Sequence, residues 1–450
     1  MTEVAMTYRQ RANAPTRENA TRVTRAEFLL LLSLTLAVLE GAARKWLFAE
    51  SPMIGYALYF SKDVVFGLLI FLCPAGETTL ATTVFQKFVF AGAALTLCGA
   101  TIAAQFDLNW IGAVLTLRAT ILLPIMAVLA APRLAHVSVK RAGVLFAFWT
   151  VVNFALGAVQ YSLPSDHILN TYADSSLAVV AIGDNVRATG TFSYISGLGV
   201  ISVFGIWAAM VLLSSSHRLG FVVGGLSALS GVGCGLVSIS RGPVAIGILV
   251  VALWLFFSGV LRNKSVQGFV VACALGALLI ISGFGESLQH YTNTILNRHD
   301  EAQESEKLAD RTIKPLFTVL DVAGVAPLGN GLGTEQVAGV WATTGTANYG
   351  HYEDPWPRLV LETGVLGVLG FIITCVGAIF ALWTATKTSC CLARRGVTIA
   401  TLFTAASFFL TNVIYNHIAS GMLWPLIALV LGTTVCSCGT SNPREQERTE

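Results

Sequence analysis

Apolar runs of membrane-spanning length dominate this chain. A helix that crosses a bilayer needs about 20 mostly apolar residues, and about twelve stretches qualify. They centre on residues 28–47, 54–73, 84–104, 110–131, 142–162, 191–213, 220–239, 242–260, 267–285, 359–383, 397–415 and 419–438. Of the 450 residues, 54% are hydrophobic and only 12% charged. Average soluble domains carry about 25% charged residues. A soluble core cannot absorb this much apolar surface, so the bilayer is the expected solvent. The expected fold is all-α: a polytopic membrane helix bundle of about 12 transmembrane helices. The first run is the weakest, because "LEGAARKWLF" puts Glu40, Arg44 and Lys45 in its second half.

Charge and cysteine content narrow the classes. The net charge of +3 is small, and no long basic run with interleaved aromatics appears, which argues against nucleic acid. The cysteines lie in apolar runs or in loops expected inside the cell, so a disulfide framework is not expected. Cys390–Cys391 and the C-x-C at Cys436 and Cys438 lack partners at zinc spacing. Residues 1–27, with Arg9, Arg11, Arg17, Arg22 and Arg25, are too long and mixed for a signal-peptide n-region. They read as a cytoplasmic tail, followed by the bundle over 28–440 and a second cytoplasmic tail over 441–450.

Lysine and arginine recur at alternate loops, through Lys87, Arg133, Lys140, Arg141, Arg218, Arg262, Lys264, Lys387, Arg394 and Arg395. The positive-inside rule then places both termini in the cytoplasm. Two segments on the opposite side are long, 163–190 and 286–357. The second has too little charge for simple disorder and holds Tyr291, Trp341, Tyr349, Tyr352 and Trp356. It is expected to fold at the membrane boundary, with "DEAQESEKLADRTIKPLFTVLDV" partly helical and "APLGNGLGT" breaking the chain.

Some charges sit where charges are expensive. An ionised residue at mid-bilayer costs at least about 2.5–3.5 kcal/mol. Arg118, Lys62 and Asp63 lie within apolar runs. Lys62 and Asp63 are adjacent, point about 100° apart on a helix, and should find partners on other helices. Glu40 and Arg44, four residues apart, could pair on one face. Either these groups are ion pairs that hold the bundle, or they line a substrate or proton path.

A set of arginines falls on the opposite side, against the topological bias. Arg241 lies between two apolar runs in "GLVSISRGPVAIGILV", Arg187 sits in "GDNVRATGTFSYISG", and Arg311 and Arg358 share that side. Arginine's planar fork suits bidentate binding of phosphate or carboxylate. A lipid-linked pyrophosphate is a natural ligand. The plainer reading pairs these arginines with Asp184, Glu353, Asp354 or anionic lipid.

At these residues the chain resembles the O-antigen ligase and polymerase (Wzy-like, WaaL-like) family. "SRGPVAIGILVVALWLF", "NVRATGTFSYISGLG", "PLGNGLGT" and "LVLETGVLGVLGF" resemble its motifs in order. "LEGAARKWLF…SKDVVFGLLIFL" looks like one of its subgroups. The resemblance spans residues 28–440. It implies a GT-C-like helical bundle with a large catalytic periplasmic loop over 286–357, in a bacterial inner membrane. It also implies passage of a glycan from a polyprenyl-pyrophosphate donor to a glycan or lipid-linked acceptor hydroxyl, without nucleotide sugar, cofactor or metal.

On that reading Arg187 and Arg241 would hold the pyrophosphate, and Arg311 and Arg358 would bind it or orient carboxylates. The ligases carry a His-Asn pair about nine residues before the helix-opening glutamate. Here that count from Glu362 lands on Glu353, followed by Asp354, with His351 nearby. Glu353, Asp354 or His351 would be the acceptor base. Alternatively Glu353 and Asp354 neutralise the arginines. Gly364, Gly367 and Gly370 read as a helix-packing face, and Glu362 as a helix-dipole partner. "GNGLGTE" lacks the strand and Lys-Ser/Thr of a phosphate loop. His417 reads as a turn histidine. The rival class is a transporter or flippase with a path through Lys62, Asp63 and Arg118.

Overall fold

Helix ends and helix breaks, more than helix interiors, decide how this bundle is put together. The computed structural model describes residues 24–49, 51–173, 179, 181–182, 185–214, 218–259, 267, 314–335, 355–389, 391–411 and 416–433. The main helices are α1 (Arg25–Leu47), α2 (Pro52–Leu72), α3 (Leu80–Ala103), α4 (Trp110–Leu134), α5 (Val139–Ser162) and α6 (Ile195–Leu213). They continue with α7 (Arg218–Val237), α8 (Arg241–Ser258), α9 (Lys314–Val325), α10 (Pro355–Thr388), α11 (Leu392–Leu410) and α12 (His417–Gly432). A two-residue antiparallel pair, β1 (Ala181–Ile182) with β2 (Asn185–Val186), lies between α5 and α6. Among the described residues, seven helices are long and apolar enough to cross a membrane, and Gly242–Ser258 and His417–Gly432 are apolar but shorter.

Every expected span that falls on described residues is helical. The run 267–285 lies almost wholly outside them. Of the long segment 286–357, the helix α9 and the glycine turn that follows it are described, and 286–313 and 336–354 are not.

Local signals explain the starts. Thr24 accepts from the Glu27 amide, Asn109 from Gly112 and Asn416 from Ile418. Each satisfies an amide that the first turn leaves without a partner. Thr79 and Thr82 cap α3 reciprocally.

Two helices are buried almost throughout, α6 and α12. A helix apolar on all sides belongs in the interior, with others around it. Phe146 of α5 stacks on Phe204 of α6 at 5.1 Å, and Phe204 meets Phe408 of α11 at 5.3 Å. The indole of Trp207 donates to Thr401 Oγ1 (2.9 Å), and that of Trp254 to Gly396 O (3.0 Å).

Helices α3 and α10 pack backbone to backbone. A Cβ at Gly92 would collide with Gly370 O, and one at Gly99 with Thr363 O and Gly367 N. Thr96 Oγ1 bonds both Gly92 O (2.9 Å) and Gly367 O (3.2 Å). Small residues at this spacing let membrane helices approach closely.

Gly364 behaves differently from Gly367 and Gly370. Its φ of 66° and ψ of −177° break α10. The glycine turn fills the break. Asn330 N bonds Leu361 O (2.7 Å) and Val365 N bonds Pro327 O (2.9 Å). Gly329, Gly331 and Gly333 all have positive φ, which glycine adopts without a side-chain clash.

This packing gives a stability test. Gly370→Val should destabilise by about 1–3 kcal/mol or more, as overpacking does. Gly324→Ala, where nothing among the described residues lies within 4 Å of a Cβ, should not lower the thermal midpoint of the protein in nanodiscs.

Candidate functional site

Four charges of the apolar runs, Glu40, Lys62, Asp63 and Arg118, come together as two ion pairs. Lys62 Nζ binds Glu40 Oε2 and also Tyr59 O (2.6 Å). Arg118 grips Asp63 with two bonds, Nε to Oδ2 (2.5 Å) and Nη2 to Oδ1 (2.9 Å). Its Nη1 lies 3.4 Å from Ser420 Oγ. Lys62 and Asp63 thus do find partners on other helices, α1 and α4. The pairing of Glu40 with Arg44 is replaced. Glu40 turns to Lys62, and its Oε1 lies 2.8 Å from His417 Nε2, off the line of a hydrogen bond.

Tyr59 is the centre of this set. Its ring stacks on His417 at 4.6 Å. Lys62, Arg118 and Arg44 lie 4.6, 5.3 and 6.0 Å from the ring centroid, within reach of the ring's negative face. Gly421 leaves room beneath, since a Cβ there would meet Lys62 Cε at 2.9 Å. Glu40, Lys62, Asp63 and Arg118 are buried, while His417, Tyr59 and Arg44 are half-exposed.

Two wide helical turns aim these groups. Ala43–Leu47, which carries Arg44 and Lys45, and Arg118–Leu122 are both π-helical. Such turns insert an extra residue and recur at functional sites. Nothing in the apolar pattern marks them.

A second cluster clamps "RATGTF" onto α1. Lys45 Nζ donates to Thr189 Oγ1 and Gly190 O, both at 2.8 Å. Gln160 Oε1 accepts from the amides of Thr189 (3.1 Å) and Gly190 (2.7 Å), and Asn153 Oδ1 from that of Thr191 (2.8 Å). Thr191 Oγ1 bonds Val38 O (2.9 Å). A Cβ at Gly41 would collide with the Phe192–Ser193 backbone, so only glycine fits there.

The clamp presents Arg187 to the start of α8. Its Nε donates to Ser238 O (3.0 Å) and its Nη2 to Ser240 Oγ (3.2 Å). Both partners are neutral, and among the described residues no carboxylate pairs with it. Half-burial disfavours the charged form and pushes its pKa below the ordinary arginine value, with Tyr172 and Tyr194 acting the other way. An anion would relieve that cost.

Ser240 precedes Arg241 and does not cap the helix with its side chain. The first-turn amides are thus free of that partner and favour negative charge. Among the described residues nothing lies within 4 Å of a Cβ built on Gly242. Ile239 has a φ of 51°, a genuine outlier for a β-branched residue. Strain of this kind collects at ligand sites.

A third cluster surrounds Glu362. Far from lying at an exposed helix end, it is fully buried. Its Oε2 accepts from Thr116 Oγ1 and its Oε1 from the Glu335 amide (3.2 Å). Arg358 lies one turn earlier on the same helix, half-buried.

The placement of the predicted residues is uneven. Arg187 and the backbone of Arg241 come together. The Arg241 side chain, Asp184, Arg311, His351, Glu353 and Asp354 lie outside the described residues. Sequence reasoning missed Tyr59, Thr116, Glu335 and the Lys45 clamp. The one trace of Tyr59 is its position three residues before Lys62, the spacing of neighbours on a helix. No protein-family profile matches the chain, and no curated protein matches it.

The buried pairs make a direct prediction. Lys62→Met leaves Glu40 buried without its partner and should cost about 3–5 kcal/mol. Lys62→Met with Glu40→Gln should recover most of that loss in a thermal or denaturant titration. A double variant as unstable as the single one would contradict the pairing.

Proposed function

We propose that this chain is a membrane glycosyltransferase of the O-antigen ligase/polymerase type. It would move a glycan from a polyprenyl-pyrophosphate donor to an acceptor sugar hydroxyl. In this reading it sits in a bacterial inner membrane as a GT-C-like bundle of about twelve spans, with both termini cytoplasmic and the site periplasmic. Its partners would be the lipid-linked donor, a glycan or lipid-linked acceptor and membrane lipids. It is the polymerase reaction that we prefer, because the ligase His-Asn pair is absent.

One observation carries the reading. The motif pieces that resemble the family, far apart in sequence, are linked by contacts between neighbouring helices and turns. Arg187 meets Ser240, before Arg241. Thr189 and Thr191 meet α1 at Lys45 and Val38. Glu40 meets Lys62. Asp63 meets Arg118, two residues from Thr116, which meets Glu362. The glycine turn closes on Leu361. Helix packing alone does not require this convergence.

The chemistry follows from the charges. The base, Glu353, Asp354 or His351, takes the acceptor hydroxyl proton. The oxygen bonds the anomeric carbon while that carbon's bond to the pyrophosphate oxygen breaks. The pyrophosphate leaves on its lipid with its electron pair. Arg187, Arg241 and the N-terminal end of α8 would meet the charge that develops there, and such stabilisation is often the largest catalytic term. The transporter reading needs Lys62, Asp63 and Arg118 around a path. Their burial and mutual pairing support a holding role instead.

Transfer from a lipid-pyrophosphate-linked oligosaccharide in reconstituted membranes tests this. Arg187→Ala and Arg241→Ala should each lower the rate by about 10²–10³-fold. Glu353→Gln, Asp354→Asn and His351→Ala then distinguish the three candidate bases. Undiminished transfer in all five folded variants would refute the site.

A further inference from the structure

The break in α10 leaves a fully buried carboxylate, Glu362, that the proposed chemistry does not use. We infer that Glu362 is a positioning residue: with Thr116 it locks the 327–335 turn against the break at Gly364. It thereby ties together the two ends of the stretch 336–354. The functional consequence rests on the glycosyltransferase reading above.

The geometry is specific. Residues 361–365 give up helical bonding at Gly364, and the turn supplies replacements. Leu361 O accepts from Asn330 N (2.7 Å), and Val365 N donates to Pro327 O (2.9 Å). These bonds fix the start of the turn but not its end. The end is held by Glu362 Oε1, which takes the Glu335 amide at 3.2 Å. The other oxygen is held by Thr116 Oγ1 on α4, so the carboxylate cannot swing with the turn. Further along, Gly112 and Gly333 are so close that a Cβ at Gly333 would strike the Ala113 amide. Leu332 N bonds Asp107 O (2.9 Å) and Asn109 N bonds Leu332 O (3.0 Å). The turn is thus a plug seated between the start of α4 and the broken helix.

Glu335 immediately precedes residue 336, and α10 begins at Pro355, immediately after 354. Glu362 lies two turns into that helix, with Arg358 one turn before it. The Glu362 carboxylate thus helps set the position of Glu335 relative to the first two turns of α10, which carry Arg358. Misplacing reacting groups by about 1 Å can cost about 10²-fold in rate. Acting as an acceptor of hydrogen bonds, Glu362 needs oxygen atoms, not a titrating proton. A glutamine keeps an oxygen for the Glu335 amide; its amide group can donate to the Thr116 hydroxyl oxygen.

The test reads position and transfer separately on the full chain in nanodiscs. Amide hydrogen exchange over residues 331–335 should rise at least about tenfold in Glu362→Ala, as a freed amide does. Exchange in the α6 core should stay unchanged. Transfer from a lipid-pyrophosphate oligosaccharide should fall about 10²-fold in Glu362→Ala, and Glu362→Gln should restore both exchange and transfer, with the wild-type pH profile. Thr116→Val should show a smaller shift in the same direction. Unchanged exchange in Glu362→Ala overturns the inference whatever the transfer assay gives. So does a Glu362→Gln variant as impaired as alanine, which would make the carboxylate's charge or proton the essential feature. Exchange that responds as expected in a protein with no transfer at all leaves the positioning intact and refutes the glycosyltransferase reading.

Discussion

Two cations and two carboxylates buried in an apolar bundle must be neutralised where they stand, and that requirement organises this protein. Each unpaired charge would cost at least about 2.5–3.5 kcal/mol at the centre of a bilayer. Lys62 and Asp63, adjacent on α2, turn to opposite neighbours, Glu40 on α1 and Arg118 on α4. The pairing fixes three helices at once. The Tyr59 ring, His417 and the gap at Gly421 bring α12 into the same contact. Moving any one of these helices would strand a charge.

What is built on that frame is a sequence of backbone clamps. Lys45, held on a wide turn of α1, captures the Thr189–Gly190 peptide. Arg187 is thereby held against the turn that starts α8, beside the first-turn amides of that helix. On the far side of Arg118, Thr116 and Glu362 seat the glycine turn in the broken helix. The charges of the frame are spent on one another, whereas Arg187 bonds only neutral groups among the described residues. That contrast is why the arginine turn, and not the buried quartet, is the better candidate for anionic substrate.

The sequence revealed the frame more readily than the site. Apolar run length located the helices, because a bilayer imposes a length that no soluble core imposes. Charges inside those runs announced buried pairs, but not their partners. The i to i+4 spacing of Glu40 and Arg44 suggested a local pair. Arg44 sits inside the π-helical turn Ala43–Leu47, and Glu40 pairs across helices instead. Such turns leave no mark on the apolar periodicity. Glu362 read as a helix start because an apolar run follows it. The helix in fact begins at Pro355 and breaks at Gly364, so Glu362 lies inside. Of the glycines after it, Gly367 and Gly370 pack helices together as their spacing suggested, while Gly364 serves the break. The segments "RATGTF" and "SISRGP" do lie side by side, with Arg187 reaching Ser238 O and Ser240 Oγ, a contact that no periodicity in the sequence announces.

The most direct measurement is an electron cryomicroscopy map of the protein in nanodiscs with a non-reactive polyprenyl-pyrophosphate glycan. The account predicts diphosphate density between the Arg187 guanidinium and the first turn of α8, with the Glu40–Lys62 and Asp63–Arg118 pairs intact. Diphosphate density among Tyr59, Lys62 and Arg118, with those pairs opened, would contradict it.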